Sequence, residues 1–467
     1  MNDQDVIGRE QGLRKSLTTA QMIMIGLGGA IGTGLFMGSG IAIGYAGPAV
    51  LISYLIAAFV AMVMVFSLSE MAVVHPAAGS FGAYAEMYLG PWSGFIVRYT
   101  YWMAQVVAIG SEAVAVGIYM GFWFPGVPVW LWSVSFTCVL VYVNSLTVGN
   151  FGTFEYWFTL IKVIAIVLFI AFGLAHIFGL GTEPVGFGNM TRLPGGFVPN
   201  GWSGVWMGVL IAVFSFYGIE IIAVTSGEAA DPRTSIPRSL RSMALRLLLF
   251  YVLALGIMVA VLPWTQAGAK VVEQSPFVRI FTHAGVAHAA GIMNFVVITA
   301  ALSSMNTNLY LSSRMLFSLA RGGYAPAALG RLSASGTPVA AIAVSGICIL
   351  VAGSISWLTP LAYNYLFGIA LFGGLTIWIF ILLCHLRFRR RHEVAELPVR
   401  MPLFPVLQIA AIGLLVAILV TMAFDREFWN VAWITGIPWL VLLSLAYLFW
   451  WRRQRPVVVG AGTGKQP

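Results

Sequence analysis

The sequence predicts an all-α protein that crosses a membrane many times. Of its 467 residues, 60% are hydrophobic and only 9% are charged, whereas a soluble domain carries about 25% charged residues. Apolar runs long enough to span a bilayer recur from residue 22 to residue 451, and only short polar connections separate them. We therefore expect one helical bundle in a bilayer instead of several soluble domains.

Twelve segments have the length and apolarity of a transmembrane helix, which needs roughly 20 apolar residues. They cover residues 20–44, 48–74, 92–122, 129–147, 155–178, 203–229, 241–263, 289–318, 338–357, 361–385, 404–424 and 429–451. We accordingly divide the chain into a cytoplasmic N-terminal segment (1–18), a single transmembrane domain (19–452) and a cytoplasmic tail (453–467).

The distribution of basic residues predicts the orientation. Of the 25 Lys and Arg residues, twenty fall on the side that holds both termini, four fall on the other side, and Lys162 lies within the fifth span. Cytoplasmic loops of membrane proteins are enriched in basic residues. The bias therefore predicts a multi-pass protein of the inner (plasma) membrane with both termini in the cytoplasm.

Composition also argues against several other classes of protein. The net charge of +9 does not indicate nucleic acid binding, because the basic residues lie in short clusters between apolar runs. Cys138, Cys348 and Cys384 lie inside apolar runs and have neither the spacing of metal ligands nor that of a disulfide framework. The chain carries no nucleophile–base motif and no cofactor signature. We expect no enzyme, no metal, no cofactor and no nucleic acid partner.

The first span contains five glycines within residues 26–34, and each disfavours a helix by roughly 1 kcal/mol relative to alanine. A dinucleotide-binding loop is excluded because no strand precedes the glycines and no acidic residue follows before Glu70. Residues 26–29 are compatible with close packing between helices. Residues 32–34 lie near mid-membrane, where a broken helix is tolerated only if it lines a protein cavity.

The sixth span carries a second interruption at residues 214–220 (FSFYGIE), where Gly218 and Glu220 lie near the bilayer centre. Interruptions at corresponding positions of two halves are typical of transporters with inverted repeats. Where the first span restarts after Gly34, its N–H groups and helix dipole suit a carboxylate. Carbonyl groups at the pause in the sixth span suit an ammonium group. The two breaks together fit the zwitterion of an amino acid.

Five motifs, in this order and spacing, resemble bacterial amino acid permeases of the amino acid transporter family within the amino acid–polyamine–organocation (APC) superfamily. The motifs are residues 29–36 (GAIGTGLF), 154–158 (FEYWF) with 161–163 (IKV), 214–220 (FSFYGIE), 228–232 (EAADP) with 236–238 (IPR), and 313–321 (SRMLFSLAR) with 325–326 (AP) and 337–338 (TP). The resemblance covers residues 13–391 and extends more loosely beyond. It implies a LeuT-like fold with a 5+5 inverted repeat over residues 20–178 and 203–385, and two further helices at 404–451.

The resemblance also implies a substrate site. The predicted site comprises Ala30, Ile31, Gly32, Thr33 and Gly34 of the first span, and Phe214, Ser215, Phe216, Tyr217 and Gly218 of the sixth. Within it, Ala30, Thr33 and Gly34 would hold the carboxylate, and the backbone at Ser215 and Tyr217 would hold the amino group. Phe214 matches the position of an aromatic gate. Lys162 matches a lysine that takes the place of the sodium ion of sodium-coupled relatives.

Three ionisable residues inside the spans are candidates for proton coupling. Lys162 lies about eight residues inside the fifth span, roughly 12 Å along the helix, which is at the limit of a side chain that snorkels to the interface. Glu112 and Glu220 are the other candidates, and for each a structural role in capping broken backbone is an equal alternative. Glu70, Glu155 and Glu228 lie near predicted cytoplasmic ends, where we expect gate or loop contacts.

We therefore expect a permease that imports an amino acid by proton symport. An amino acid exchanger and a sodium-coupled symporter are the alternatives within transporters. A channel would not need two broken helices arranged around a zwitterion. No motif in the sequence distinguishes aromatic, aliphatic, basic and γ-amino acids, so the identity of the substrate stays open at this point.

Overall fold

The computed structural model of the chain describes residues 6, 8 and 17–449, except 78, 147, 181–182, 226–231, 267–275, 284–285, 287, 394–396, 398–399 and 425–428. Most of the predicted N-terminal segment, the whole predicted tail and Glu228 therefore lie outside the described residues. The regular structure of the described residues is helical.

The α-helices of the first half are α1 (Thr19–Ala30), α2 (Ser39–Ala46), α3 (Val50–Val74), α4 (Ser80–Leu89), α5 (Pro91–Met120), α6 (Val129–Ser145) and α7 (Val148–Phe178). Those of the second half are α8 (Gly201–Ser215), α9 (Ile221–Val224), α10 (Pro232–Val261), α11 (Pro276–His283), α12 (Ala289–Arg321), α13 (Val339–Ser354), α14 (Ala362–Phe388), α15 (Val406–Phe424) and α16 (Val431–Phe449). A π-helix at Gly34–Gly38 leads into α2.

Helices occupy every one of the predicted apolar segments. Within the described part of the chain, nine helical stretches are long and apolar enough to cross a membrane, and the first of these, Gly34–Val74, includes both α2 and α3. Three shorter apolar helices, α1, α6 and α8, accompany them. The chain is thus a polytopic membrane protein.

The sequence-based boundaries differ from the structure at polar helix ends. Helix α7 begins at Val148 and α10 at Pro232, several residues before the predicted spans, because hydropathy does not register turns outside an apolar run. Proline is favoured in the first turn of a helix, so the start of α10 at Pro232 has a local cause. The short helices α4 and α11 were not predicted, since neither has the length of a span.

The centre of the bundle is formed by α5, α12 and α14, with α5 packed against both of the others. In the most apolar 18-residue stretch of each helix, 78% is buried in α5 and in α14, but only 17% is buried in α16. A soluble protein would rarely expose an apolar face of that extent. The outer helices therefore present the surface that faces lipid.

Two helices are interrupted near the centre of the bundle. Helix α1 ends at Ala30, and the backbone leaves the helical conformation at Ile31 (φ −91°, ψ 84°). Helix α8 ends at Ser215, and residues 216–220 form turns before α9. Both interruptions fall where the glycine content of the sequence predicts them.

The two interruptions contact each other through backbone. Gly218 has a φ of +98°, a conformation that residues with a Cβ atom rarely adopt. A Cβ atom at this position would lie 3.0 Å from the Gly29 carbonyl oxygen and 3.4 Å from the Ala30 nitrogen. Glycine at position 218 thus permits both the turn of the second break and its approach to the first.

Candidate functional site

All ten residues of the predicted substrate site belong to the described chain, and all are buried. They lie on both sides of the contact between the two breaks. The arrangement around them is built by polar side chains from α5, α7, α10, α12 and α14, which reach the ends of the broken helices.

Lys162 of α7 is completely buried, so it does not snorkel to the interface. Its Nζ donates hydrogen bonds to the carbonyl oxygens of Gly28 (2.7 Å) and Ile31 (2.8 Å). The last carbonyls of a helix have no partner within the helix. The ammonium group therefore caps the end of α1 and holds the non-helical residue that follows it.

Tyr251 of α10 joins the two breaks. Its hydroxyl lies 3.0 Å from the Ala30 carbonyl oxygen and 2.5 Å from the Ser215 carbonyl oxygen, so a single O–H group is shared between the ends of α1 and α8. Ser304 of α12 donates to the remaining carbonyl, that of Gly29, at 3.4 Å. Side chains of three helices thus cap the four carbonyl groups of residues 28–31.

Glu112 of α5 contacts the chain just after the first break. The backbone N–H of Thr33 points at its carboxylate, 3.2 Å from Oε1 and 3.3 Å from Oε2. A Cβ atom at Gly32 would lie 2.5 Å from Oε1, so glycine gives the carboxylate room to approach. The Thr33 hydroxyl lies 3.2 Å from the hydroxyl of Tyr363. The N–H predicted to receive a substrate carboxylate therefore already contacts a carboxylate of the protein.

Glu220 caps the second break. Its Oε1 accepts a hydrogen bond from the Tyr101 hydroxyl at 3.1 Å, and its Oε2 accepts from the Trp378 indole at 3.3 Å. The backbone N–H of Gly218 also donates to Oε2, at 3.2 Å. These contacts match the structural alternative considered for this residue, because they fix the turn that follows α8.

Glu155 was expected near a helix end, but the structure places it inside the bundle with no exposed surface. Its carboxylate accepts hydrogen bonds from the hydroxyl of Ser303, from Asn306 Nδ2 at 2.9 Å and from Thr159 Oγ1 at 3.2 Å. Asn144 Nδ2 in turn donates to Asn306 Oδ1 at 2.7 Å. This buried polar network connects α6, α7 and α12, and it was not predicted from the sequence.

Lys162 interacts electrostatically with both Glu155 and Glu112. The buried Lys162 ammonium group therefore interacts with two buried carboxylates, which lie on either side of the break in α1. Such intramembrane ionisable groups are rare and usually functional.

Glu70 makes the contacts expected of a residue at the end of a helix. Its carboxylate forms an ion pair with Arg389 (2.5 Å) and a hydrogen bond with His385 Nε2 (2.9 Å), and the backbone N–H of Met401 donates to it at 3.1 Å. These contacts join the end of α3 to the end of α14 and to the connection that precedes α15.

Phe214 is the last residue but one of α8, and its ring packs on Phe367 of α14 with a centroid distance of 3.9 Å. Phe367 also contacts Trp429 at 5.9 Å. Phe367 and Trp429 belong to the lining of a small cavity, together with Ile41, Ile211, Tyr363 and Asn364. Phe214, Phe367 and Trp429 thus form an aromatic layer beside this cavity.

Comparison with known proteins gives the family. A family model described as amino acid permease matches residues 21–459. The chain belongs to the amino acid permease family. It is 40% identical over 453 residues to the gamma-aminobutyric acid permease of Bacillus subtilis (strain 168), with 95% of each chain covered. It is 36% identical over 439 residues to the aromatic amino acid transport protein of Salmonella typhimurium (strain SL1344), covering 93% of this chain and 95% of that protein.

Membership of this family confirms the resemblance deduced from the five sequence motifs. The permease is a multi-pass membrane protein that transports an amino acid, and it is not an enzyme.

Proposed function

We propose that this permease imports its amino acid across the bacterial plasma membrane together with a proton. The observation that carries the proposal is the buried Lys162 ammonium, which bonds two carbonyl groups at the end of α1. A titratable group in that place can couple a proton to the position of the broken helix. The proposed architecture is the LeuT-like one, with twelve membrane crossings, two inverted repeats of five, and both termini in the cytoplasm.

The substrate would bind between the two breaks as a zwitterion. Its carboxylate would accept hydrogen bonds from the backbone N–H groups at Thr33 and Gly34, where the chain resumes a helical course. Its ammonium group would donate to backbone carbonyls of the turn after α8, at Ser215 and Tyr217. Backbone groups would thus recognise the carboxylate and the ammonium group that all amino acids carry.

The names of two relatives indicate which parts of the substrate the different parts of the site would recognise. One is named for gamma-aminobutyric acid and the other for aromatic amino acids, and these substrates have in common only a carboxylate and an ammonium group. We infer that the breaks bind these two groups, and that the carbon skeleton of the substrate meets the layer of Phe214 and Phe367. Phe214 would close over that part as the aromatic gate.

Protonation of Lys162 would bias two arrangements of α1. The charged ammonium braces the end of α1 against α7 and keeps the site open to the outside. Once the proton leaves Lys162 toward the cytoplasmic side, the neutral amine holds the carbonyl groups less strongly, so α1 can swing and open the site inward. A local change of charge thus selects between two states of one helix.

Uptake into proteoliposomes tests this function. The purified permease is reconstituted with an empty lumen in sodium-free buffer, and the common amino acids together with gamma-aminobutyric acid are screened for uptake driven by an inwardly directed proton gradient. We expect accumulation of at least one of them that rises as the external pH falls. Accumulation that requires an amino acid inside the vesicle would indicate exchange, and a requirement for sodium would indicate a sodium symporter.

A further inference from the structure

Glu112 holds a position that substrate would need. The Thr33 N–H group, which starts the resumed helix, has both carboxylate oxygens of Glu112 within 3.3 Å. This N–H is also the anchor proposed for the substrate carboxylate. An amide carries one hydrogen, and two ionised carboxylates placed side by side repel each other strongly. The ionised form of Glu112 and a bound substrate carboxylate therefore exclude each other.

The surroundings of Glu112 define what protonation changes. Thr33 faces it from the first break, Ser304 from α12 and Lys162 from α7. Tyr363 of α14 and Tyr119 of α5 are the remaining titratable groups of the described residues that interact with it. Once Glu112 takes up a proton, it loses the charge that repels a second carboxylate, and its O–H group can donate to the arriving substrate.

We propose that Glu112 occupies the place of the substrate carboxylate in the empty permease, and that binding of an amino acid is accompanied by uptake of one proton onto Glu112. The proton comes from the aqueous side from which the substrate enters, and the Thr33 N–H passes from Glu112 to the substrate. This inference rests on the proposed function, because it assumes the carboxylate anchor at Thr33. Glu112 and Lys162 then have different roles. The protonation of Glu112 determines when the Thr33 N–H group is free to bind substrate, and the charge of Lys162 determines to which side α1 opens.

Binding affinity as a function of pH tests the exchange. The probe is the amino acid with the largest uptake in the proteoliposome screen, and binding is measured by calorimetry on the full-length permease in detergent. In the wild type, Kd should rise with pH, approaching about tenfold per unit where Glu112 ionises, since one linked proton gives that slope. The Glu112→Gln variant should bind with a Kd that hardly changes with pH and that lies below the wild-type value at alkaline pH.

Tyr119→Phe is the matched control, because it removes a titratable neighbour of Glu112 and should keep the wild-type slope. A Glu112→Gln variant with the wild-type slope would overturn the inference. So would a folded Glu112→Gln variant, with a wild-type melting temperature, that binds the probe at no pH, since Glu112 would then be a ligand and not a competitor.

A second measurement does not depend on the folding of that variant. Calorimetry in buffers of different ionisation enthalpy gives the protons taken up per bound probe. Both the wild type and Lys162→Ala should take up about one proton per bound probe at alkaline pH, as a single linked group requires. Absence of proton uptake in either protein would refute the exchange. A wild type that accumulates amino acid with a pH-independent Kd contradicts this inference alone, whereas a wild type that neither binds nor accumulates any amino acid contradicts the proposed function.

Discussion

Substitution of Lys162 by alanine gives the most direct test of how the proton is coupled. The change removes the ammonium group and its hydrogen bonds to the carbonyls of Gly28 (2.7 Å) and Ile31 (2.8 Å). The zwitterion site itself is left intact, because neither carbonyl is among the groups proposed to hold the substrate. We therefore expect the variant to bind amino acid but to lose accumulation driven by a proton gradient.

The size of the effect follows from the two contacts. A hydrogen bond to a charged group contributes about 1.5–3 kcal/mol, so the pair contributes roughly 3–6 kcal/mol. Removal of one partner from a buried ionic cluster is destabilising by about 3–5 kcal/mol, which agrees. If the contacts hold only the outward-open arrangement, a loss of about 3 kcal/mol shifts the equilibrium between the two arrangements by roughly a hundredfold.

The assay compares accumulation with counterflow in proteoliposomes. Lys162→Ala should exchange labelled for unlabelled substrate, yet should not concentrate it against an imposed pH gradient. Lys162→Arg should not accumulate substrate either, because arginine does not deprotonate in proteins. Lys270→Ala, in the predicted loop after the seventh span, is the matched control and should accumulate substrate normally. If Lys162→Ala accumulates substrate with the pH dependence of the wild type, Lys162 does not control the opening of α1 and the reasoning fails.

Three further substitutions test the breaks and the aromatic layer. Phe214→Ala removes the ring proposed to close over the substrate, and the loss of an aromatic contact of about 0.5–1.5 kcal/mol should weaken substrate affinity roughly twofold to tenfold in a folded protein; unaltered uptake kinetics would exclude Phe214 from the site. Gly218→Ala puts a Cβ atom 3.0 Å from the Gly29 carbonyl oxygen at a strained φ, which is disfavoured by about 1–3 kcal/mol. It should lower the melting temperature and abolish transport, and a variant of wild-type stability would refute the contact. Tyr251→Phe deletes the hydroxyl shared by the two breaks and should slow uptake while binding persists; an unchanged maximal rate would show that the bridge has no part in transport.

The sequence was sufficient to locate the helices of the bundle. In a bilayer, an apolar run of about 20 residues can satisfy its backbone hydrogen bonds only as a helix. The positions of the helices therefore follow from the positions of the apolar runs. The short helices Ser80–Leu89 and Pro276–His283 were not predicted from the sequence, because their helical state depends on packing against neighbours and not on length. The polar first turns of Val148–Phe178 and Pro232–Val261 were missed for another reason, because hydropathy does not register helical turns outside an apolar run.

The site could be predicted only in part. The glycines of the first span disclosed the first break, Gly218 and Glu220 disclosed the second, and the depth of Lys162 in its span made it a candidate for proton coupling. Glu155 was missed, although it precedes Lys162 by seven residues, two helical turns, which places both on one face. That spacing could have indicated a shared environment. Tyr251 gave no signal at all, because a single tyrosine in an apolar helix does not disclose which backbone its hydroxyl reaches.

The charges around the first break give an independent argument for coupling. The described residues there supply two carboxylates, Glu112 and Glu155, and one ammonium group, Lys162, with electrostatic interactions between them. With all three ionised, the cluster carries one net negative charge in a region where uncompensated charge is strongly unfavourable. An amino acid zwitterion is neutral overall, so its arrival alone does not correct the imbalance, and its carboxylate adds to the repulsion at Thr33. One proton bound with the substrate makes the cluster neutral. Substrate and proton thus stabilise each other in the same buried site, which is the thermodynamic requirement for their transport together.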